Sequence, residues 1–228
     1  MILKDYEKLP EKMKNEKVKE YAGLLSHKKC SLFFKRLFDI VVSFLILLIL
    51  SPVMLVLAIA IKLDSKGPVF YRQIRVGRYN KDFKIFKFRT MVQDADKKGL
   101  AITLNEDPRI TRVGRLIRKC RLDEISQLLN VLGGSMSFVG PRPEVRRYVE
   151  AYSPEGMATL LVRPGVTAPS SIVFKDEDKI LNSGDDPEQI YVEQILPEKT
   201  RLNLEYVARL SFWKDIKIMF QTLHAVAK

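Results

Sequence analysis

Histidine and cysteine are nearly missing from this chain of 228 residues, which has two of each: His27 and His224, Cys30 and Cys120. Neither histidine has a partner at metal or triad spacing, so a zinc site or a histidine proton shuttle is not expected. The cysteines cannot make a CxxC pair and read as free thiols in a reducing compartment. No Walker or GxGxxG glycine loop occurs. Basic and aromatic residues do not interleave as in RNA-binding segments, so nucleic acid is not an expected partner. What chemistry there is must rest on carboxylates and on Arg and Lys.

Charge is missing altogether from residues 40–61, IVVSFLILLILSPVMLVLAIAI. The net charge of +12 is lopsided around that run. Residues 1–98 hold 21 Lys/Arg against 10 Asp/Glu, and residues 99–228 hold 18 against 17. An ordinary soluble enzyme does not fit this pairing of apolar and basic segments. The run begins after 39 residues rich in charge and lacks a small-x-small cleavage site, which argues against a signal peptide. About 20 helical residues span a bilayer core, so its length suits a membrane. Pro52 removes the donor that would reach the Leu48 carbonyl, which predicts a break or kink at Ser51-Pro52. The Ser51 hydroxyl is placed to satisfy that carbonyl.

Both flanks of the run are basic. Lys28, Lys29, Lys35 and Arg36 lie before it; Lys62, Lys66, Arg72, Arg75, Arg78 and Lys81 lie after it. Positive charge favours the cytoplasmic side. A helix that enters, turns and returns satisfies both flanks, a spanning helix satisfies one, and a buried helix of a soluble core is the third alternative. Basic flanks also bind an anionic lipid bilayer, at roughly 1 kcal/mol per residue near the surface.

The chain divides by composition into a charged N-terminal arm or surface helix (1–32), the membrane helix (33–66) and a membrane-associated domain (67–228). The expected class is α+β and helix-rich. PVFYRQIRVG and DFKIFKFRTM alternate about a turn-like GRYNKD and predict a short β-hairpin beside the membrane. A helix is expected near 109–119 and another from Asp123 to Leu132, closed by Gly133-Gly134. VRPGVTAPS reads as a loop, and KDEDKILNSGDDPEQ as an acidic, turn-rich stretch. The last 35 residues predict one or two amphipathic helices, suited either to an interface or to core packing.

Asp123-Glu124 is the most suggestive carboxylate pair, set among Arg115, Arg118, Lys119 and Arg121. An Asp before an apolar-periodic helix is also the commonest N-cap. Lys87 and Arg89 end the hairpin, GPRP fixes Arg142 and RPG fixes Arg163 between turn-forming residues, an arrangement suited to a planar phosphate partner. A membrane-held basic shell around two acids calls for an anion such as phosphate at the lipid surface.

The strings KRLFDIVVSFLILLILSPV, YRQIRVG, FKIFKFRTM, DPRITRVGRLIRK, RLDEISQLLNVLGGSMSFVGPRPE, VRPGVT and SFWKDIKIMFQT follow one another over about residues 33–225. With them the chain resembles the bacterial sugar transferase family, the monotopic polyprenyl-phosphate phosphoglycosyl transferases, in what looks like the minimal catalytic form without additional transmembrane helices. The resemblance implies transfer of a sugar-1-phosphate from a UDP-sugar to undecaprenyl phosphate with release of UMP. It implies that Asp123 is the nucleophile of a phosphosugar-aspartyl intermediate and that Glu124 is the second acid. It implies Mg2+ held by Asp123 and Glu124 against the diphosphate. Lys87, Arg118, Arg142 and Arg163 fall on phosphate-binding positions, and Ser51-Pro52 on the break that makes the membrane helix re-entrant. The implied setting is the cytoplasmic face of the bacterial inner membrane, at the start of surface glycan synthesis. A symmetric homodimer through the hairpin or the terminal helix is compatible with the pattern.

Where many relatives continue RPG-[IV]-TG into WAQVNGR, this chain reads APSSIVFKDEDKILNSGDDPE, so sugar recognition is expected to differ over 168–186. Asp176-Glu177-Asp178 is either a metal aid or a solvated loop. A membrane-bound adaptor for glycan-assembly partners, needing the basic face but not Asp123, is the competing reading.

Overall fold

The computed structural model describes residues 3–93, 95, 107–181 and 186–227. The N-terminal segment is more than a charged arm. Asn15 accepts a hydrogen bond from Val18 N and caps helix α1, Glu16–Ser26. Val18, Ala22 and Leu25 recur at helical spacing and are buried with Leu9 and Met13, while the lysines and glutamates face outward. Asn15 Nδ2 and Tyr21 OH then tie this helix to Pro154 O and Glu155.

The apolar run forms helix α2, Lys29–Asp64, with Pro52 inside it. The helix continues through the expected break. Ser51 Oγ donates to Leu48 O at 2.8 Å and so serves the carbonyl that proline cannot reach. Only 6% of the most apolar window is buried, so the helix is not the core of a soluble domain. Its two ends bind the same body. Leu32, Lys35 and Asp39 are buried at the first end, and Ile61 at the other, packed with Phe88 and Ile117. Between them Leu48, Ile49, Leu55, Val56 and Ile59 are exposed.

The expected hairpin is present as β1, Phe70–Val76, and β2, Asp82–Phe88, antiparallel with Phe70 opposite Phe88 and Val76 opposite Asp82. Its turn places Tyr79 and Asn80 at φ 60° and 57°, an uncommon conformation for residues other than glycine. Helix α3, Arg112–Lys119, is capped by Thr111, whose hydroxyl accepts from Gly114 N. A 3-10 helix over Leu122–Gln127 runs directly into α4, Leu128–Gly133, which ends on Gly134 at φ 85°.

The predicted VRPGVTAPS loop contains a strand. Ser137–Val139 (β3) and Gly165–Thr167 (β4) pair in parallel, a long-range contact with no local signature in either short segment. The remaining α-helices among the described residues are α5 (Arg146–Glu150), α6 (Pro169–Val173), α7 (Glu177–Leu181), α8 (Pro187–Ile190), α9 (Leu196–Ala208) and α10 (Phe212–Ala227). α9 is a core helix, with Leu204, Tyr206 and Val207 buried. α10 divides its faces: Asp215 is buried, whereas Trp213, Phe220 and Leu223 are exposed.

Candidate active site

Asp123 and Glu124 stand in the first turn of the 3-10 helix, half-buried, after Arg121 reverses the chain in the left-handed region at φ 53°. Arg121 occupies the N-cap position and no side chain caps this helix. The capping alternative for Asp123 is therefore not realised.

Two polar residues of the same helical stretch hold the hairpin against it. Asn130 Oδ1 accepts from Phe86 N at 2.8 Å, and its Nδ2 donates to Lys84 O at 2.9 Å. Ser126 Oγ donates to Phe86 O at 3.0 Å. Together they satisfy backbone groups along β2 that have no strand beside them. The next residue, Lys87, is thereby delivered to the acids: its Nζ lies 3.1 Å from Glu124 Oε1. Arg142 reaches the same oxygen, Nη2 to Oε1 at 2.8 Å. It is positioned by β3 and the prolines on either side of it.

This asymmetric pairing separates the two acids. Burial opposes ionisation of Glu124, but Arg142 and Lys87 outweigh it and hold its carboxyl well below the ordinary range. Glu124 in turn raises Arg142 further. Asp123 goes the other way. Burial raises its carboxyl, and the Glu124 charge adds to that, against the pull of Lys87 and Arg118. Arg118, half-buried in the last turn of α3, thus acts on Asp123 through its charge.

The oxygens left over are suited to a hard cation. Glu124 Oε2 and the Asp123 carboxylate accept no side-chain hydrogen bond among the described residues. Magnesium is commonly held by one or two carboxylates, with substrate phosphates and water completing the shell. No group of three or more His, Cys, Asp or Glu side chains is assembled among the described residues, so this pair would be the protein's share.

Lys87, Arg142, Asp123 and Glu124 come together, with Arg118 close by. Arg163 is tied elsewhere: its Nε donates to Gly134 O at 2.8 Å, beside a cleft shared with Lys35, Arg36, Asp39 and Arg78. Arg89, at the hairpin end, holds the last turn of α2 through Ser65 O at 2.6 Å. Glu177 of the acidic stretch pairs with the buried Lys199 at 2.7 Å. Lys199 also contacts Tyr191 OH, which donates to Glu144 Oε1 at 2.7 Å. The divergent loop is thereby connected to the residue two positions after Arg142. The Asp178 side chain lies outside the described residues.

Ser126, Asn130 and Glu144 were not singled out in the sequence. The signal for the first two was two uncharged polar residues four apart in one helical stretch, where they share one face.

The family described as bacterial sugar transferase matches residues 30–228. Among curated proteins, the chain is 38% identical to a UDP-N-acetylgalactosamine-undecaprenyl-phosphate N-acetylgalactosaminephosphotransferase of Aeromonas hydrophila, over 85% of this chain and 44% of that one. It is 42% identical to a UDP-glucose:undecaprenyl-phosphate glucose-1-phosphate transferase of Escherichia coli, over 83% and 39%. A protein of the same name from Caulobacter vibrioides is 36% identical over 83% of this chain and 68% of its own. The chain thus spans about two fifths of the length of the first two relatives.

Proposed function

The chain belongs to the bacterial sugar transferase family, and from that premise we propose that it moves a sugar-1-phosphate from a UDP-sugar to undecaprenyl phosphate, releasing UMP and starting a surface glycan. The observation that carries this reading is the Lys87–Glu124–Arg142 arrangement beside Asp123, in a body attached to a long, exposed apolar helix.

The proposed route has two displacements. An Asp123 carboxylate oxygen attacks the sugar-proximal phosphorus, the diphosphate P–O bond breaks and UMP leaves with the bond's electron pair. An oxygen of undecaprenyl phosphate then attacks the phosphorus of the phosphosugar-aspartyl intermediate. The Asp123 carboxylate departs, and a lipid-linked diphosphate sugar is formed. Glu124 holds the Lys87 ammonium and the Arg142 guanidinium at the place where phosphate oxygens arrive, and Arg118 adds positive charge on the Asp123 side. Mg2+ held by Asp123 and Glu124 would neutralise charge between carboxylate and diphosphate and ease the meeting of two anions.

The apolar helix α2 supports a membrane setting. A spanning helix carries its ends to opposite faces, whereas here Lys35 and Arg36 bond to β3 and α4, and Asp64 and Ser65 bond to α3 and Arg89. Ends gathered on one body support a re-entrant path, with the domain on the cytoplasmic face of the inner membrane.

The test is incubation of the full chain with UDP-sugars, undecaprenyl phosphate and magnesium. Lipid-dependent UMP release is expected. UDP release would point to ordinary glycosyl transfer, and full turnover by Asp123→Asn would remove the covalent step.

A further inference from the structure

A second basic grouping lies at the far end of the catalytic helix. Arg36 donates from Nη1 to Val131 O at 2.7 Å and from Nη2 to Leu132 O at 2.9 Å, and Arg163 donates from Nε to Gly134 O at 2.8 Å. These bonds close the C-terminus of α4, whose first turn follows on from the acids. Eleven residues of helical chain separate Asp123 from Gly134, roughly 15–20 Å at helical rise. One phosphate group cannot touch both places.

Three arginines line the cleft there: Arg36, Arg78 and Arg163. Arg78 donates to Leu161 O at 3.0 Å and stacks on the Tyr79 ring, which the left-handed turn sets beneath it. Lys35 also lines the cleft, but its charge is matched by Asp215. Asp39 is the one carboxylate in the lining, and it accepts from Ser137 Oγ and Phe138 N. The terminal nitrogens of Arg163 make no hydrogen bond, and neither Arg36 nor Arg163 enters an ion pair, among the described residues. Arg36 and Arg163 against one carboxylate leave a surplus of about one positive charge in a half-buried cleft, with Arg78 beside them. Burial, with a smaller push from the neighbouring arginine, lowers Arg163 from its ordinary range and brings Arg78 down to about 10.

The cleft also sits at a definable depth. Phe33, Phe34 and Leu37, on the turn of α2 that bears Lys35 and Arg36, are exposed. Phe38 meets Phe212 edge to face at 5.6 Å, and Phe212 meets the exposed Trp213 at 5.4 Å. A tryptophan beside an exposed apolar turn marks the headgroup level of a bilayer.

We propose that this arginine cleft binds the phosphate of an anionic phospholipid headgroup, at a site separate from Asp123 and Glu124. Arginine forks match phosphate oxygens in pairs, and an anionic headgroup brings no cation of its own to compete. Bound lipid would fix the rotation of α2 against α4 and hold the catalytic helix at a set height above the bilayer. The inference rests on the reading that α2 enters the membrane.

Native mass spectrometry of the full chain in neutral detergent tests it, with phosphatidylglycerol, phosphatidylcholine or inorganic phosphate added. Wild type is expected to retain phosphatidylglycerol over phosphatidylcholine. Arg163→Gln and Arg78→Gln should each lose that retention by about tenfold or more, the loss of a charge-assisted pair, while Arg142→Gln keeps it. Phosphatidylglycerol should also raise the unfolding midpoint of wild type but not of either variant, and the lipid-free midpoints report whether the variants fold. Displacement of the lipid by millimolar phosphate supports phosphate recognition. Binding of free phosphate with no retention of phosphatidylglycerol by wild type overturns the lipid assignment, as does undiminished lipid retention in both variants. Flotation with phosphatidylcholine vesicles reads the insertion of α2 separately, so its failure would remove the membrane premise rather than the cleft.

Discussion

Gly140 and Gly165 meet backbone to backbone. A Cβ on Gly165 would stand 2.2 Å from Gly140 N, and one on Gly140 would stand 2.3 Å from Arg163 O. The glycines of GPRP and RPG are therefore one packing requirement, which brings β3 and β4 close enough for Gly140 N to donate to Thr167 O. Either glycine replaced by alanine is expected to cost about 3 kcal/mol or more, as backbone gives way to a methyl group. Gly133→Ala, with nothing within 4 Å, should be near neutral. Thermal unfolding in detergent measures both, and the damaging variants should also lose UMP release because Arg142 is displaced.

The opposite pKa directions of the two acids predict one acidic limb in the rate. In the proposed route Asp123 is ionised when it attacks, so the rate should fall as pH drops through its raised pKa, above the ordinary 3.8, while Glu124 stays charged. Lys87 favours the ionised Asp123, so Lys87→Met should move the limb to higher pH. A pH profile of UMP release at saturating substrate decides the sign. An unmoved limb would detach it from Asp123.

Asn130 acts on the site through Lys87. Asn130→Leu removes the partners of Phe86 N and Lys84 O, at an expected cost of about 2–3 kcal/mol. Its kcat should drop together with stability. Asn130→Asp keeps an acceptor for Phe86 N but buries a carboxylate against Lys84 O, so it should be no more stable than Asn130→Leu. Denaturant unfolding and turnover, measured on the same samples, compare the two.

Lys35 and Asp215 form a buried ion pair in which Lys35 also donates to Val139 O and Tyr206 OH donates to Asp215. Burial raises the Asp215 carboxyl even with Lys35 beside it. Lys35→Met leaves that carboxyl unpaired and is expected to cost about 3–5 kcal/mol, and the double variant Lys35→Met/Asp215→Leu should recover much of it. Urea titration of the single and double variants provides the comparison.

The path of α2 is open to labelling. Cys30 is exposed, and Lys66→Cys places a second thiol past the far end of the helix. A membrane-impermeant thiol reagent should reach both from the same side of sealed vesicles. Labelling from opposite sides would make α2 a spanning helix. Ser51→Ala should destabilise the protein by about 1–3 kcal/mol, because the Leu48 carbonyl then has no partner in apolar surroundings.

Much of the local structure could be read directly. The alternation in β1 and β2 predicted the hairpin, the apolar spacing in Arg112–Lys119 predicted α3, and Gly133-Gly134 predicted the end of α4. The acids and Lys87, Arg142 and Arg118 were also identifiable, from residue type and from resemblance. Other features were not. The buried face of α1 was hidden by its lysines and glutamates, because composition reports an average and burial selects one face. Asp123 carries the sequence signature of an N-cap yet caps nothing, since Arg121 makes the turn instead.

The sequence by itself determined the elements whose cause is local: an uncharged run too long and too apolar for exposure to water, strands with period two, helices with period 3.6, and a serine one residue from the proline defect it repairs. The tertiary structure decided what depends on pairs distant in the chain. It drew Lys87 and Arg142 onto one oxygen of Glu124, left Asp123 without such a pair, and turned Arg163 to the other end of α4. The physical reason is that charge and hydrogen-bond energies depend on separation in space, which residue order along the chain does not specify until β3 and β4 pair and β2 docks on the helix that carries Asp123 and Glu124.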